Sequence, residues 1–127
     1  MMNETQHARQ SARTPDDLTR LFVQRANAGD ADGLAELYAT DAVLAYPPGA
    51  TTVGRQAIRA VCAQMLEHAP RPFPSEDSLP TVRYGDLALT STRPADGTGG
   101  RVQVAQRQAD GTWLRVIDRP ELPPEPG

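Results

Sequence analysis

The chain is poor in the residues that most often announce a chemistry. It has one cysteine, two histidines, two phenylalanines, three tyrosines and one tryptophan in 127 residues. A single cysteine, Cys62, excludes an intramolecular disulfide, and its place among apolar residues at helical spacing favours a buried thiol over a nucleophile. His7 and His68 stand in unrelated contexts, so no metal-ligand cluster is spelled out and no cofactor is expected. No apolar run approaches the roughly 18 residues that a membrane span needs, and no signal-peptide core is present. The expectation is a soluble, cytoplasmic protein without membrane contact. The formal charge of −3 comes from interspersed acids and bases, which leaves no basic footprint for nucleic acid.

What is present is enough chain for one domain with a core of its own. Residues 1–13 are polar and aperiodic and are expected to form a flexible arm. Thr14-Pro15-Asp16-Asp17 starts a helix, with Thr14 as N-cap, Pro15 in the first turn and two acids near the positive end of the dipole. Leu18, Leu21, Phe22 and Ala26 form its inward stripe, and Gly29 ends it. Asp30 is placed to cap a second helix whose apolar side is Leu34, Leu37 and Tyr38, stopped by Asp41. Ala42–Tyr46 is a short apolar run of strand length, closed by Pro47-Pro48-Gly49. Ile58, Val61, Cys62, Met65 and Leu66 then recur at i, i+3, i+4, i+7 and i+8, the spacing of one helix face.

The second half reads as β-structure. A proline-rich loop, residues 71–80, carries Phe73 as its one apolar anchor. Val82–Tyr84 and Asp86–Arg93 flank Gly85, and residues 95–100 form a connection. Arg101–Gln108 and Thr112–Asp118 are joined through Ala109-Asp110-Gly111, a hairpin signal. Residues 123–127 form a proline-rich tail. Three N-terminal helices followed by strands predict an α+β fold, a curved antiparallel sheet with helices packed on one face. Helices laid across a concave sheet leave a conical pocket.

The ordered set NAGDADGLAELYATDAV, LAYPPG, GRQAIRAV, GDLALT and ADGTWLRVID resembles the NTF2-like superfamily, and within it the SnoaL-like and ketosteroid-isomerase-like small proteins. The resemblance runs from about Thr14 to Leu122 and implies the NTF2-like cone over residues 14–122. It implies no single function, because this fold carries isomerases, cyclases, dehydratases, hydrolases and binding modules. The steroid isomerases, which are the worked example of a carboxylic acid kept neutral by an apolar site, use a phenol, that protonated acid and a second carboxylate as base. Carried onto this chain, those positions fall on Phe22, Gln103 and Tyr46, none of which has the required group. The resemblance therefore points away from that mechanism.

Asp118 is the remaining carboxylate placed to act, as a general acid or base in an apolar cone. Counting by two along the last strand puts it on one face with Leu114 and Val116, opposite Trp113, Arg115 and Ile117. The bland alternative is that it pairs with Arg115 or Arg119, caps a helix, or faces water. Phe22, Tyr46, Met65 and Gln103 are the expected pocket residues. Arg55 is expected to clamp a carboxylate or a backbone carbonyl. The function expected is binding of a small hydrophobic molecule, with a cofactor-independent isomerase, cyclase or dehydratase using Asp118 as the alternative. A sheet with one open face further suggests a homodimer.

Overall fold

The computed structural model describes residues 9–93 and 99–121. The expected tail, the first eight residues of the expected arm and most of the 95–100 connection lie outside them. Helix α1 spans Pro15–Asn27 and begins with a reciprocal capping box: the Thr14 hydroxyl accepts from the Asp17 backbone N–H at 3.3 Å, and the Asp17 carboxylate accepts from the N–H of Thr14 at 3.2 Å. Leu18, Leu21 and Ala26 are buried beneath it. Helix α2 spans only Ala31–Ala35, capped by Asp30, whose carboxylate accepts from Gly33 N–H at 2.9 Å. Helix α3 spans Arg55–His68 and buries Ile58, Cys62 and Leu66.

Among the described residues seven strands follow or interleave: β1 Tyr38–Leu44, β2 Thr52–Val53, β3 Asp77–Ser78, β4 Val82–Tyr84, β5 Leu87–Arg93, β6 Arg101–Arg107 and β7 Trp113–Arg119. They form one sheet in the order β2-β1-β7-β6-β5-β3, with β4 also paired to β5. All pairs are antiparallel except β1 with β7. The architecture is the expected α+β cone, with three helices against one side of a curved sheet. Leu18, Leu21, Leu34 and Ile58 are the largest aliphatic side chains enclosed between the layers. Each such burial stabilises by about 1.5–3 kcal/mol.

Four sequence readings need correction. The second helix stops before Leu37 and Tyr38. The Leu37 carbonyl instead accepts from Arg115 N–H at 2.8 Å, which draws the chain into the sheet. Tyr38 and Asp41 are therefore strand residues, and β1 starts four positions before Ala42. Residues 9–13 belong to the packed domain and not to an arm: Ala12 is buried, its carbonyl accepts from Trp113 N–H at 2.9 Å, and the Arg25 guanidinium bonds the Gln10 carbonyl. The proline loop also contributes a short strand, β3, against the far end of β5.

The fourth correction decides the site. Ile117 pairs with Val104 while Arg115 pairs with the next residue, Ala105, so Val116 is an extra residue in β7. This bulge shifts the alternation by one. Trp113, Arg115 and Asp118 are all buried, whereas Leu114 and Val116 are half-exposed and Ile117 is exposed. Asp118 thus shares its face with Arg115 and not with Leu114 and Val116.

Candidate functional site

Two rows of side chains cross the concave face. Ala88, Ala105, Arg115 and Tyr38 stand side by side across β5, β6, β7 and β1, and Thr90, Gln103, Asp118 and Leu44 form the next row. The alanines keep the floor low beside the polar groups. The Tyr38 hydroxyl donates to Asp118 Oδ2 at 2.6 Å, and Arg115 Nη1 lies 3.7 Å from the same oxygen. Tyr38, Arg115 and Asp118 are only 2%, 4% and 3% exposed. Arg115 also lies over the Phe22 ring, 5.1 Å from its centroid, where a guanidinium meets the negative face of the π-system. Arg55 fixes the start of β1 by donating from Nε to the Tyr38 carbonyl at 2.8 Å, one of the two roles expected of it.

The electrostatics follow from burial. Desolvation, then the Asp118 charge, pushes the Tyr38 hydroxyl well above the usual tyrosine range, so it remains a donor. Burial alone would make the Arg115 guanidinium harder to charge, but the Tyr38 and Asp118 oxygens outweigh that and raise its pKa. Burial, with the Asp118 charge adding to it, pushes the Cys62 thiol up to about 11, which leaves it protonated and poorly nucleophilic at neutral pH. Among the described residues two buried side-chain polar atoms have no hydrogen-bond partner: Arg115 Nε and Asp118 Oδ1.

Two hollows meet over this cluster. The larger is about 450 Å³ and runs between β1 and α3, walled by Phe22, Leu44, Val61, Cys62 and Met65, with Tyr38 and Asp118 among its lining residues. The smaller is about 280 Å³ and lies under the proline loop, where Arg115, Gln103 and Thr92 join Asp118. Phe22, Met65, Arg101 and Asp118 border both. All five residues singled out from the sequence line one hollow or both: Phe22, Met65 and Asp118 both, Tyr46 the larger and Gln103 the smaller. Tyr46 stands at the rim, 43% exposed. Gln103 is buried, and its carboxamide oxygen accepts from the Thr90 hydroxyl at 2.9 Å. Arg101 grips Glu76 through two bonds of 2.8 and 2.9 Å and ties the proline loop to β6.

Sequence reasoning misses Tyr38 as a site residue and misplaces Arg115. Helical spacing puts Tyr38 on a helix, and counting by two puts Arg115 on the face opposite Asp118, although Arg115 is also one of the partners considered for that carboxylate. The available signal was chemical: an arginine between two apolar residues in a strand facing a core requires a buried anion, and Asp118 is the nearest one. Among the described residues no three His, Cys, Asp or Glu side chains gather as metal ligands.

An open helix-roofed sheet with a hollow ending on a buried carboxylate defines an NTF2-like protein. The SnoaL-like domain family matches residues 19–118, and the chain belongs to that family. Solved structures agree on the fold. A putative calcium/calmodulin-dependent protein kinase type II association domain from Thiobacillus denitrificans is 23% identical, with 90% of this chain and 100% of that one covered at a TM-score of 0.70. An NTF2-like protein of unknown function from Pseudomonas putida is 21% identical, covering 85% and 83% at 0.67. A ketosteroid isomerase-like protein from Erwinia carotovora atroseptica is 18% identical, covering 82% and 89% at 0.66. No curated protein matches the chain significantly.

Proposed function

We propose that this SnoaL-like protein binds a small, mainly apolar molecule in the larger hollow. The observation that carries this is a space of about 450 Å³ with aliphatic and aromatic walls and one buried tyrosine–aspartate pair at its base. Pockets of this size and make-up suit ligands of two or three fused rings. The steroid-isomerase groups remain absent from the positions that the resemblance assigns. A phenol and a carboxylate do meet here, but the single Tyr38 O–H is spent on Asp118 and is not free to hold an oxyanion.

A second reading rests on Asp118 Oδ1. Oδ2 is held by Tyr38 and lies near Arg115, while Oδ1 is unpartnered, the arrangement of a general acid or base whose second oxygen moves a proton. This reading makes the protein a cofactor-independent isomerase, cyclase or dehydratase. One experiment addresses both. Bicyclic ketones such as 2-tetralone should raise the melting temperature, and a Val61→Trp variant that fills the hollow should lose the shift. Deuterium uptake at the ketone α-carbon, lost in Asp118→Asn while binding persists, would select the enzyme; binding without exchange would select the binder. No shift with any hydrophobic carbonyl compound would sink both.

The reading includes a cytoplasmic location and a homodimer that uses the outer sheet face. Val82, Leu89, Val104, Ile117, Val43 and Val53 form one apolar row across six strands on that face. Val82, Leu89, Ile117 and Val53 are exposed at 60%, 42%, 51% and 61%. An apolar row of this length fits a second copy of itself, related by a two-fold axis. Among the described residues no helix is long and apolar enough to cross a membrane.

A further inference from the structure

The smaller hollow is a compartment with a roof of its own. Phe22 and Val23 from α1, Met65 from α3, and Phe73 and Pro74 from the proline loop give it apolar walls. Several of its polar residues are already occupied. Arg101 and Glu76 hold each other through two bonds, the Thr92 hydroxyl donates to the same Glu76 carboxylate at 3.3 Å, and the Gln103 oxygen is taken by Thr90. The roof is fastened to three elements. The Asn27 carboxamide, at the end of α1, donates to the Phe73 carbonyl at 3.1 Å and accepts from the Phe73 N–H at 2.6 Å. Arg71 donates to the Leu66 carbonyl in the last turn of α3 at 3.1 Å. The Arg101–Glu76 pair ties the loop to β6. An unfilled apolar void forfeits dispersion contacts, so a loop free to settle would close it. Here the three fastenings keep the loop off the sheet, with about 280 Å³ beneath it.

The two hollows meet at a collar. Phe22, Met65, Ala69, Arg101, Asp118 and Pro120 line both, and they come from helices and sheet alike. Val61 lines the larger hollow and not the smaller, and Val23 the smaller and not the larger. From this we infer that the smaller hollow is a second binding subsite. It takes a single apolar ring, joined by a short link through the collar to the fused-ring group in the larger hollow. An apolar cavity of roughly 150 Å³ holds a benzene, so about 280 Å³ admits a substituted one. The ligand class is a molecule of two apolar parts, each part in its own compartment. This rests on the proposed apolar-ligand reading and adds a second group to it.

Titration calorimetry with 2-tetralone, 1-benzyl-2-tetralone and 3-benzyl-2-tetralone tests it, on the natural chain and on two plugged variants. At least one benzyl compound should bind the natural chain about tenfold or more tightly than 2-tetralone, because burying a phenyl ring contributes at least that much. Val23→Trp, which fills the smaller hollow, should erase this advantage and leave 2-tetralone binding as it was. Val61→Trp, which fills the larger, should weaken all three. A measurement needing no variant guards against misfolding: in the unaltered protein the benzyl protons should show nuclear Overhauser contacts to Val23 and Phe73, and the fused ring to Val61. Benzyl compounds bound within about threefold of 2-tetralone would overturn the second subsite and leave the larger pocket standing. An advantage that survives Val23→Trp would overturn it too, by placing the phenyl ring outside the loop's cover. If none of the three binds, the apolar-pocket reading falls first and takes this inference with it.

Discussion

At the scale of single residues, Tyr38 is the support on which Asp118 depends. Its hydroxyl supplies a 2.6 Å charge-assisted bond to a carboxylate that is 3% exposed, and the other carboxylate oxygen has no partner. Tyr38→Phe should cost about 1.5–3 kcal/mol in urea unfolding, because it strips one partner from a buried charge. Tyr46→Phe should stay within about 0.5 kcal/mol, since that side chain stands at the rim. Equal effects would mean that the pair contributes no more than a surface hydroxyl. The candidate site was only half legible in the sequence. Phe22 and Met65 follow from helical spacing, a local property, and Asp118 from its position near the chain's end. Tyr38 and Arg115 depend on where β1 begins and where β7 bulges. The first is settled by the pairing of strands more than 70 residues apart in sequence, Tyr38 beside Arg115, and the second by the register of β7 against β6.

At the scale of elements, the helix starts carry their own stabilisation. Burial of Asp17 opposes ionisation, but the N–H groups of Arg13 and Thr14 and the Arg20 guanidinium outweigh it and hold its carboxyl below the usual value. The Arg9 guanidinium does the same for Asp30, the cap of α2, with the Gly33 N–H assisting. Depressed carboxylate pKa values mean that the unfolded chain takes up protons first as pH falls. Stability from both caps is therefore complete above about pH 4 and is lost as pH drops through the lower folded-state values. Urea midpoints measured across that range should fall steeply for the natural chain and less steeply for Asp30→Asn; parallel curves would remove Asp30 from the account. Helix α1 is readable from its cap and apolar stripe, and α3, which has no side-chain cap, from its apolar spacing alone; in both the signals lie within a few residues of each other. Helix α2 was overestimated because Leu37 and Tyr38 keep helical spacing, while a ladder bond from Arg115 takes the chain elsewhere.

At the scale of the whole molecule, the sheet has two unlike sides. The inner side ends in a polar cluster under three helices, and the outer side is an apolar row from Val82 to Val53. If the outer side is a dimer interface, Ile117→Lys in the middle of that row should convert dimer to monomer by light scattering, with the circular dichroism spectrum unchanged. A natural chain that elutes as a monomer at micromolar concentration would refute it.

The extra residue at Val116 changes how relatives of this chain should be compared along β7. Strict counting by two from Trp113 puts the wrong side chains indoors. A homologue one position shorter there would still send the counterparts of Arg115 and Asp118 to the same side, along a straighter strand. A gap opposite Val116 thus signals a lost kink rather than a lost carboxylate, and the two should not be scored alike.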